Sequence, residues 1–574
     1  MDGMGQGAGP GVQAARLWRM QMISRRRFMA LAGKTGAVAA LGGLAAACQG
    51  GETNQGATPS GTGAQIPEGV PGPGPISGGQ YGGRLVAGYS DGWHNFDPAI
   101  ASGWMEYDST QLVFSGGLVA YGGQSGGPVP NLAEAMPDIS SDGKTFTFKI
   151  RPGVKFHNGR EIEAEDFKYS IERMIKHPWA WGGPYYSSVV GYEAFYSGKA
   201  KTMEGFEVPD SRTFLIHLTQ PDANIESVVA CAFSFPVPRE AVERLGKDFT
   251  NKPVGYGPFK FESLDEAGQR YVFSKFDDYL YKGLPYLDEV EMRWGMNNDL
   301  LLEQVTSGQI DFTGDGSSVF GRQGAANPSL EQYLAKMQIP MSDWVCLFSN
   351  YPPLDNVKAR QALNWAVDRS QIERITSGTL VGWGYPFPKT LPIPHIVEPF
   401  GYDLTKAKQL LAEAGVPNGF EATLAMQQGG YWGTLPEFLQ QQLAAVGVNV
   451  KLDPTSSITD VQSKRTEPMA LTSWYMSLPE ASDIIDLAYV TGSSSNYDQY
   501  SNPQLDELAN QAKAEFDHDK RFAIYAEIEK IIMDNALNLF VSTASVILAK
   551  GLQVQNWHMR PEYQTYFDRV WLSS

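Results

Sequence analysis

Along this chain, stretches of strict apolar/polar alternation give way to stretches with a 3.6-residue apolar repeat, and the switching predicts mixed α and β structure. Thr145-Phe-Thr-Phe-Lys-Ile150 puts a bulky apolar side chain at every second position, the pattern of a half-buried strand, and Val154-Lys-Phe156 runs on to an Asn158-Gly159 turn. Directly afterwards Phe167, Ile171, Met174 and Ile175 recur at i, i+4, i+7 and i+8. That spacing predicts an amphipathic helix over Ala164–Lys176, which must stop before Pro178. A second set follows: a helix over Leu404–Ala414 closed by Gly415, a strand over Glu421–Met426, a helix over Pro436–Val446 closed by Gly447, and a strand over Val448–Leu452. Two separate αβ regions predict an α/β protein of two lobes rather than an all-helical or all-β one.

Length supports that division, since 574 residues exceed what one hydrophobic core organises. The pattern changes abruptly towards the N-terminus. From Gln49 to Gly83, 17 of 35 residues are Gly or Pro with few bulky apolar side chains, so this stretch reads as a tether without a core of its own. Ahead of it, Arg25, Arg26 and Arg27 form a charged head, Phe28–Ala47 form an Ala/Gly-rich run interrupted by Lys34, and Cys48 follows three small residues. This is the layout of an export signal, and its Gly content and Lys34 argue against a permanent membrane span.

Charge and composition narrow the function. A formal net charge of −17 argues against nucleic acid and against charge-driven binding to anionic lipid. The seven histidines are scattered, with no His-Glu-x-x-His and no Cys-x-x-Cys, so neither a metal site nor any other cofactor is expected. Gly123-Gln-Ser-Gly-Gly127 fits G-x-S-x-G, but Pro128-Val-Pro130 blocks the helix that must follow a nucleophilic serine. With no phosphate-binding G-x-x-x-x-G-K-[ST] either, no catalytic residue is assigned and the chain is not expected to be an enzyme.

Several ordered motifs carry a resemblance. Pro130-Asn-Leu-Ala-Glu134, SSDGKTFTFKIRPGVKFHNGREIEAEDFKYSIER (140–173), VGYGPFKFES (254–263), SGQIDF (307–312), NYPPLDNVKARQALNWAVDRSQI (350–372) and SNPQLDELANQAKAEFDHDKRFAIYAEIEKII (501–532) together resemble the family 5 extracellular solute-binding proteins, the peptide/nickel-type receptors of bacterial ABC importers. The resemblance covers nearly everything from Arg84 onward. It implies a type II, two-lobe periplasmic-binding-protein fold of the large peptide-binding class, with the ligand enclosed as hinge strands let the lobes close. By analogy residues 81–336 plus 538–574 make the first lobe, with an inserted subdomain, and 337–537 make the second. Crossing strands are expected near Trp344–Ser349 and Phe540–Leu548.

The N-terminus resembles a twin-arginine signal at Ser24-Arg-Arg-Arg-Phe-Met29 and a lipoprotein signal at Ala46-Ala-Cys48. Removal of residues 1–47 and lipid on Cys48 are therefore expected, with residues 48–80 as the leash to the outer face of the cell membrane or the periplasm. A twin-arginine substrate folds before export in a reducing compartment, so Cys231 and Cys346 are expected as free, buried thiols. The partners implied are a small-molecule solute and separate permease and ATPase subunits, with the receptor itself a monomer.

For the site, the resemblance points to one stretch. In peptide-binding members a tryptophan of the second lobe is followed three residues later by an aspartate that receives the peptide's α-ammonium. Here SWYMSLPEASD (473–483) matches with Trp474, and Pro479-Glu480 fits the usual proline and acid, but Ser477 stands where the aspartate would be. A hydroxyl can bond an ammonium without neutralising it, so either Glu480 or Asp483 supplies the charge from a shifted position, or the ligand has no free amino terminus. The second case suits an oligosaccharide, whose C–H faces stack on rings such as Tyr475 and whose hydroxyls bond to polar groups. Other candidate ligand-facing rings are Trp93, Trp104, Tyr107, Trp383, Tyr385, Tyr431 and Trp432, in Gly-rich loop settings; packing into a lobe core is the other reading for each. A structural or chaperone-like lipoprotein, with no saturable ligand, is a third class.

Overall fold

The alternation at Thr145–Ile150 becomes the strand Thr145–Lys149, one residue shorter, and the helical repeat becomes a helix over Ala164–Lys176 as expected in the computed structural model. The model describes residues 75, 78–90, 95–101, 104–121, 128–314, 316–428, 432–557, 565 and 567–573, all within the compact unit Gly69–Ser574. Phe146 and Phe148 point inward, and Phe167, Ile171, Met174 and Ile175 form the buried stripe of the helix packed on them. Asp166 closes the first turn with a capping box to Glu163, and Arg160 pairs with Asp166 at 2.6 Å. The chain reverses ahead of the helix at Gly159, whose φ of +89° a side chain would strain.

Three main sheets organise the body. A five-stranded sheet runs in the order Phe312–Thr313, Arg84–Gly88, Glu289–Arg293, Arg270–Lys275, Phe259–Asp265. A four-stranded antiparallel sheet, Asp138–Ile139, Thr145–Lys149, Thr213–His217 and Phe206–Asp210, carries the Ala164–Lys176 helix. Arg173 on that helix pairs with Asp97, in the loop that follows the strand Arg84–Gly88 of the five-stranded sheet. Gly255 and Gly257 permit another close approach, since a Cβ on either would lie 2.2 or 2.5 Å from the Val113 backbone.

The second αβ cluster forms the other half. Its six-stranded sheet has the order Leu380–Gly382, Asn538–Ala549, Leu334–Leu347, Met469–Tyr475, Glu421–Gln427, Asn449–Thr455. The helices Leu404–Glu413 and Leu435–Ala444 fall within a residue or two of their expected ends. Two of the strands are long. Leu334–Leu347 pairs antiparallel with Asn538–Ala549, with register shifts between Gln338 and Ser342 and between Asp343 and Trp344. At one end Ala549 exchanges hydrogen bonds with Thr313 of the five-stranded sheet (2.8 and 3.2 Å); at the other, Val345 and Cys346 lie opposite Leu539 and Asn538 inside the six-stranded sheet. The ribbon therefore joins the halves, and its first strand starts at Leu334, ten residues ahead of the expected Trp344.

Cys231 and Cys346 are buried and unbonded to each other, and burial pushes the Cys346 thiol up to about 11. Among the described residues no helix is long and apolar enough to cross a membrane, and no cluster of His, Cys, Asp and Glu could hold a metal ion. The export head, Cys48, most of the tether and the Gly123–Gly127 motif lie outside the described residues.

Candidate functional site

The strand Met469–Tyr475 lies beside the long strand Leu334–Leu347, with Trp474 opposite Ser342. Positions two apart on a strand share a face, so Trp344 rises on the same side and its ring stacks with Trp474 at 6.2 Å and 16°. Met476 then donates its N–H to Pro340 O (3.0 Å), and the chain turns through Ser477–Ala481 into a short helix beginning at Ser482.

The turn and the helix after it carry two acids, Glu480 and Asp483, each only 3% exposed, with different surroundings. Glu480 faces inward. Its carboxylate accepts from Arg521 Nη2 (2.9 Å) and Nε (3.3 Å) and from the Tyr525 hydroxyl (3.3 Å). Burial by itself would depress the Arg521 guanidinium, but Glu480 beside it holds it above its usual value. Asp483 faces the other half of the molecule. Its Oδ2 accepts from the Trp474 indole N–H (3.1 Å) and the Ser477 main-chain N–H (3.0 Å), and its Oδ1 accepts from the Tyr185 hydroxyl (2.6 Å).

Tyr185 belongs to the turn Gly183–Tyr186, packed on the Ala164–Lys176 helix of the four-stranded layer. Its ring stacks on Phe233 at 5.6 Å and 15°, and Trp181 meets Phe233 edge-on at 4.9 Å. Around this point the two halves make further contacts. Ser482 Oγ donates to Asn224 Oδ1 (2.8 Å), Ala223 N–H donates to Lys513 O (2.8 Å), and the Cys231 thiol donates to Ser477 O (3.4 Å). Lys513 also pairs with Asp486 at 3.0 Å. Burial raises Asp486 to about 6 and raises Asp222 across the seam, with Lys513 opposing both shifts.

The structure distributes the sequence-derived candidates as follows. Trp474, Ser477 and Asp483 come together; Ser477 contributes its main chain on both sides of the peptide unit, and Tyr475 ends the strand 37% exposed. Glu480 is committed to Arg521 inside its own lobe. Trp432 is 5% exposed and donates its indole N–H to Asp343 Oδ1 (3.0 Å), while Tyr385, 8% exposed, donates to Val397 O (3.0 Å) and stacks on His395. Trp383 donates to Phe387 O (2.7 Å) and packs beside Tyr385. Trp104 and Tyr107 lie on the helix Trp104–Val113. Trp93 and Tyr431, with the side chains of Trp104 and Tyr107, fall outside what is described. Tyr185, Trp181 and Phe233 went unread in the sequence. The signal was the run Trp179-Ala-Trp-Gly-Gly-Pro-Tyr-Tyr186, as rich in Gly and rings as the stretches singled out.

Two sheet-based halves, a paired-strand ribbon between them and a buried acid where they meet define a two-lobe binding protein. Residues 127–496 match the family model of bacterial extracellular solute-binding proteins, family 5, and this chain belongs to that family. The glutathione-binding protein GsiB of Pectobacterium atrosepticum is 28% identical over 459 residues, 75% of this chain and 84% of that one. Among solved structures, the periplasmic binding protein DppA of Helicobacter pylori, in complex with the peptide STSA, superposes with a TM-score of 0.67 at 24% identity, covering 86% of this chain and 99% of that one. AgaA of A. tumefaciens R10, in complex with agropinic acid, superposes at 0.66 with 25% identity and the same coverage.

Proposed function

We propose that this protein is the extracytoplasmic receptor of an ABC importer and that it captures short peptides through a free amino group bound at Asp483. The observation that carries the reading is the Asp483 carboxylate, buried where the halves meet and accepting from the Trp474 indole, the Ser477 main chain and the Tyr185 hydroxyl. A carboxylate at the seam between the halves is placed to meet a ligand ammonium, whereas Glu480 pairs with Arg521 inside its own lobe. Ser477 then acts through its main chain, fixing the orientation of Asp483. The relative named for glutathione, a peptide with a free ammonium, supports this ligand class.

The same reading takes Cys48 as the lipid attachment point and the Gly/Pro segment as a leash that keeps a monomeric receptor near its permease, with the ATPase a separate subunit. A second reading, a solute other than a peptide, is favoured by the agropinic acid complex of AgaA. Oligosaccharides fall under this second reading.

Thermal-shift titration separates the readings. At 100 times its Kd a ligand stabilises by ~2.7 kcal/mol. Free tri- and tetrapeptides are expected to raise the midpoint, and N-acetylated versions of the same peptides are not. Equal shifts from both sets, or shifts from malto-oligosaccharides alone, would refute Asp483 as an ammonium acceptor.

A further inference from the structure

We propose that the seam between the halves is proton-linked, and that acid favours its closing because the first lobe brings two carboxylates and no cation to it in the segment Asp222–Glu226. This segment is where the first lobe meets the second: Ala223 N–H donates to Lys513 O (2.8 Å), and Asn224 Oδ1 accepts from Ser482 (2.8 Å). Its two acids, Asp222 and Glu226, are half-buried there. Across from them stand two cations, each already paired within the second lobe, Lys513 with Asp486 at 3.0 Å and Arg521 with Glu480 at 2.9 Å. Asp222 lies within electrostatic reach of Lys513 and Asp486, and Glu226 within reach of Arg521 and Glu480. Each cation therefore serves two acids, one from each lobe. Asp483 and the Tyr525 hydroxyl also face Asp486 and add no positive charge, so the joined halves hold a surplus of negative charge.

When the halves part, every crossing contact goes together, water returns to these carboxylates and the repulsion between the two lobes' acids ends. Joined, the same groups are held partly out of water. Burial pushes Asp222 up with Lys513 opposing, and pushes Glu226 up with Arg521 opposing and Glu480 adding to the rise. Asp486 rises for the same reason, Lys513 opposing and Asp222 and Asp483 adding. Burial by itself would depress Lys513, but Asp486 and Asp222 hold it above its usual value, so it stays charged. Acids pushed up by joining bind protons more tightly in the closed form than in the parted one, so closing takes protons up. The stabilisation of the closed form is fully present below the ordinary carboxylate range and is lost as pH rises through the raised values, about 6 for Asp486. For the receptor reading, on which this consequence rests, the ligand is held more tightly in acid and released more easily as pH rises.

The test is hydrogen exchange on the full chain without ligand, read at the Ala223 amide, whose bond crosses the seam. Its protection factor is expected to be roughly fivefold higher at pH 5 than at pH 7 in wild type, and the rise to shrink to within about twofold in Asp222→Asn/Glu226→Gln. The Ile150 amide, bonded to Arg212 O inside the first lobe (2.8 Å), is expected to keep the same protection at both pH values. Equal or absent protection of Ala223 at the two pH values in wild type, or an undiminished rise in the double variant, would overturn the proposal. Should the double variant not fold, either substitution alone must shrink the rise, and a wild-type rise in both single variants overturns the proposal equally. Affinity for a pool of unmodified tri- to pentapeptides, whose termini keep their charges over this range, should follow the same roughly fivefold ratio. A wild type that takes up no peptide would sink the ligand reading and leave the exchange result to decide the proton linkage.

Discussion

Glu480 and Asp483 lie three residues apart in one turn and are equally buried, yet their surroundings give them different work. Glu480 meets a guanidinium inside the second lobe, so its charge is neutralised where it stands. Asp483 meets an indole N–H, a main-chain N–H and a phenol, the last from the opposite lobe, so it sits where the halves meet. Equal burial thus goes with different surroundings, and the surroundings set what each carboxylate can do.

That contrast breaks first on the inner acid. Arg521→Ala leaves Glu480 buried without a counter-charge and is expected to cost about 3–5 kcal/mol of unfolding free energy, read from urea denaturation. A loss under about 1 kcal/mol would mean that Glu480 is not held by this pair. On the outer acid the effect moves from stability to binding. Asp483→Asn keeps the hydrogen-bond geometry and removes the charge, so peptide affinity should fall roughly 100-fold by calorimetry while the fold holds. Unchanged affinity would show that the ligand's charge is met elsewhere.

A third acid of this region, Asp486, tests the seam through pH. Burial raises it to about 6, with Lys513 opposing and Asp222 and Asp483 adding to the rise. One of its oxygens has no hydrogen-bond partner among the described residues. The folded protein thus binds a proton more tightly than the unfolded chain. The associated stability is fully present below the ordinary carboxylate range and is lost as pH rises through about 6. Asp486→Asn should flatten the thermal midpoint between pH 4 and 7, an effect of about 1–2 kcal/mol. A variant profile parallel to wild type would assign the titration elsewhere.

The smallest effect is expected at Ser477. Because its main chain orients Asp483, Ser477→Ala should change stability by less than about 0.5 kcal/mol and leave peptide affinity unaltered. A tenfold loss of affinity would instead put the hydroxyl on the ligand and favour the non-peptide reading.

How far the sequence could be read follows from the range of the interactions involved. The Ala164–Lys176 helix was legible because its apolar stripe and the Pro178 that stops it all lie on neighbouring turns. The strand Asn538–Ala549 is buried along its whole length, so it shows no alternation and its place came only from resemblance. The aromatic candidates were recognisable as a class but not individually. Trp432 has the composition of a binding-loop residue, and only Asp343, 89 positions away, shows that its indole is tied within the lobe.

By itself the sequence determined the α/β lobes, the family and the acidic character, because local periodicity and ordered motifs encode them, and it singled out the stretch around Trp474 as the candidate. Which acid in that stretch turns into its own lobe and which faces the other half was decided by tertiary structure alone. The answer depends on Arg521 and Tyr185, 41 and 298 positions from their acids, and only the folded chain brings each within hydrogen-bond reach.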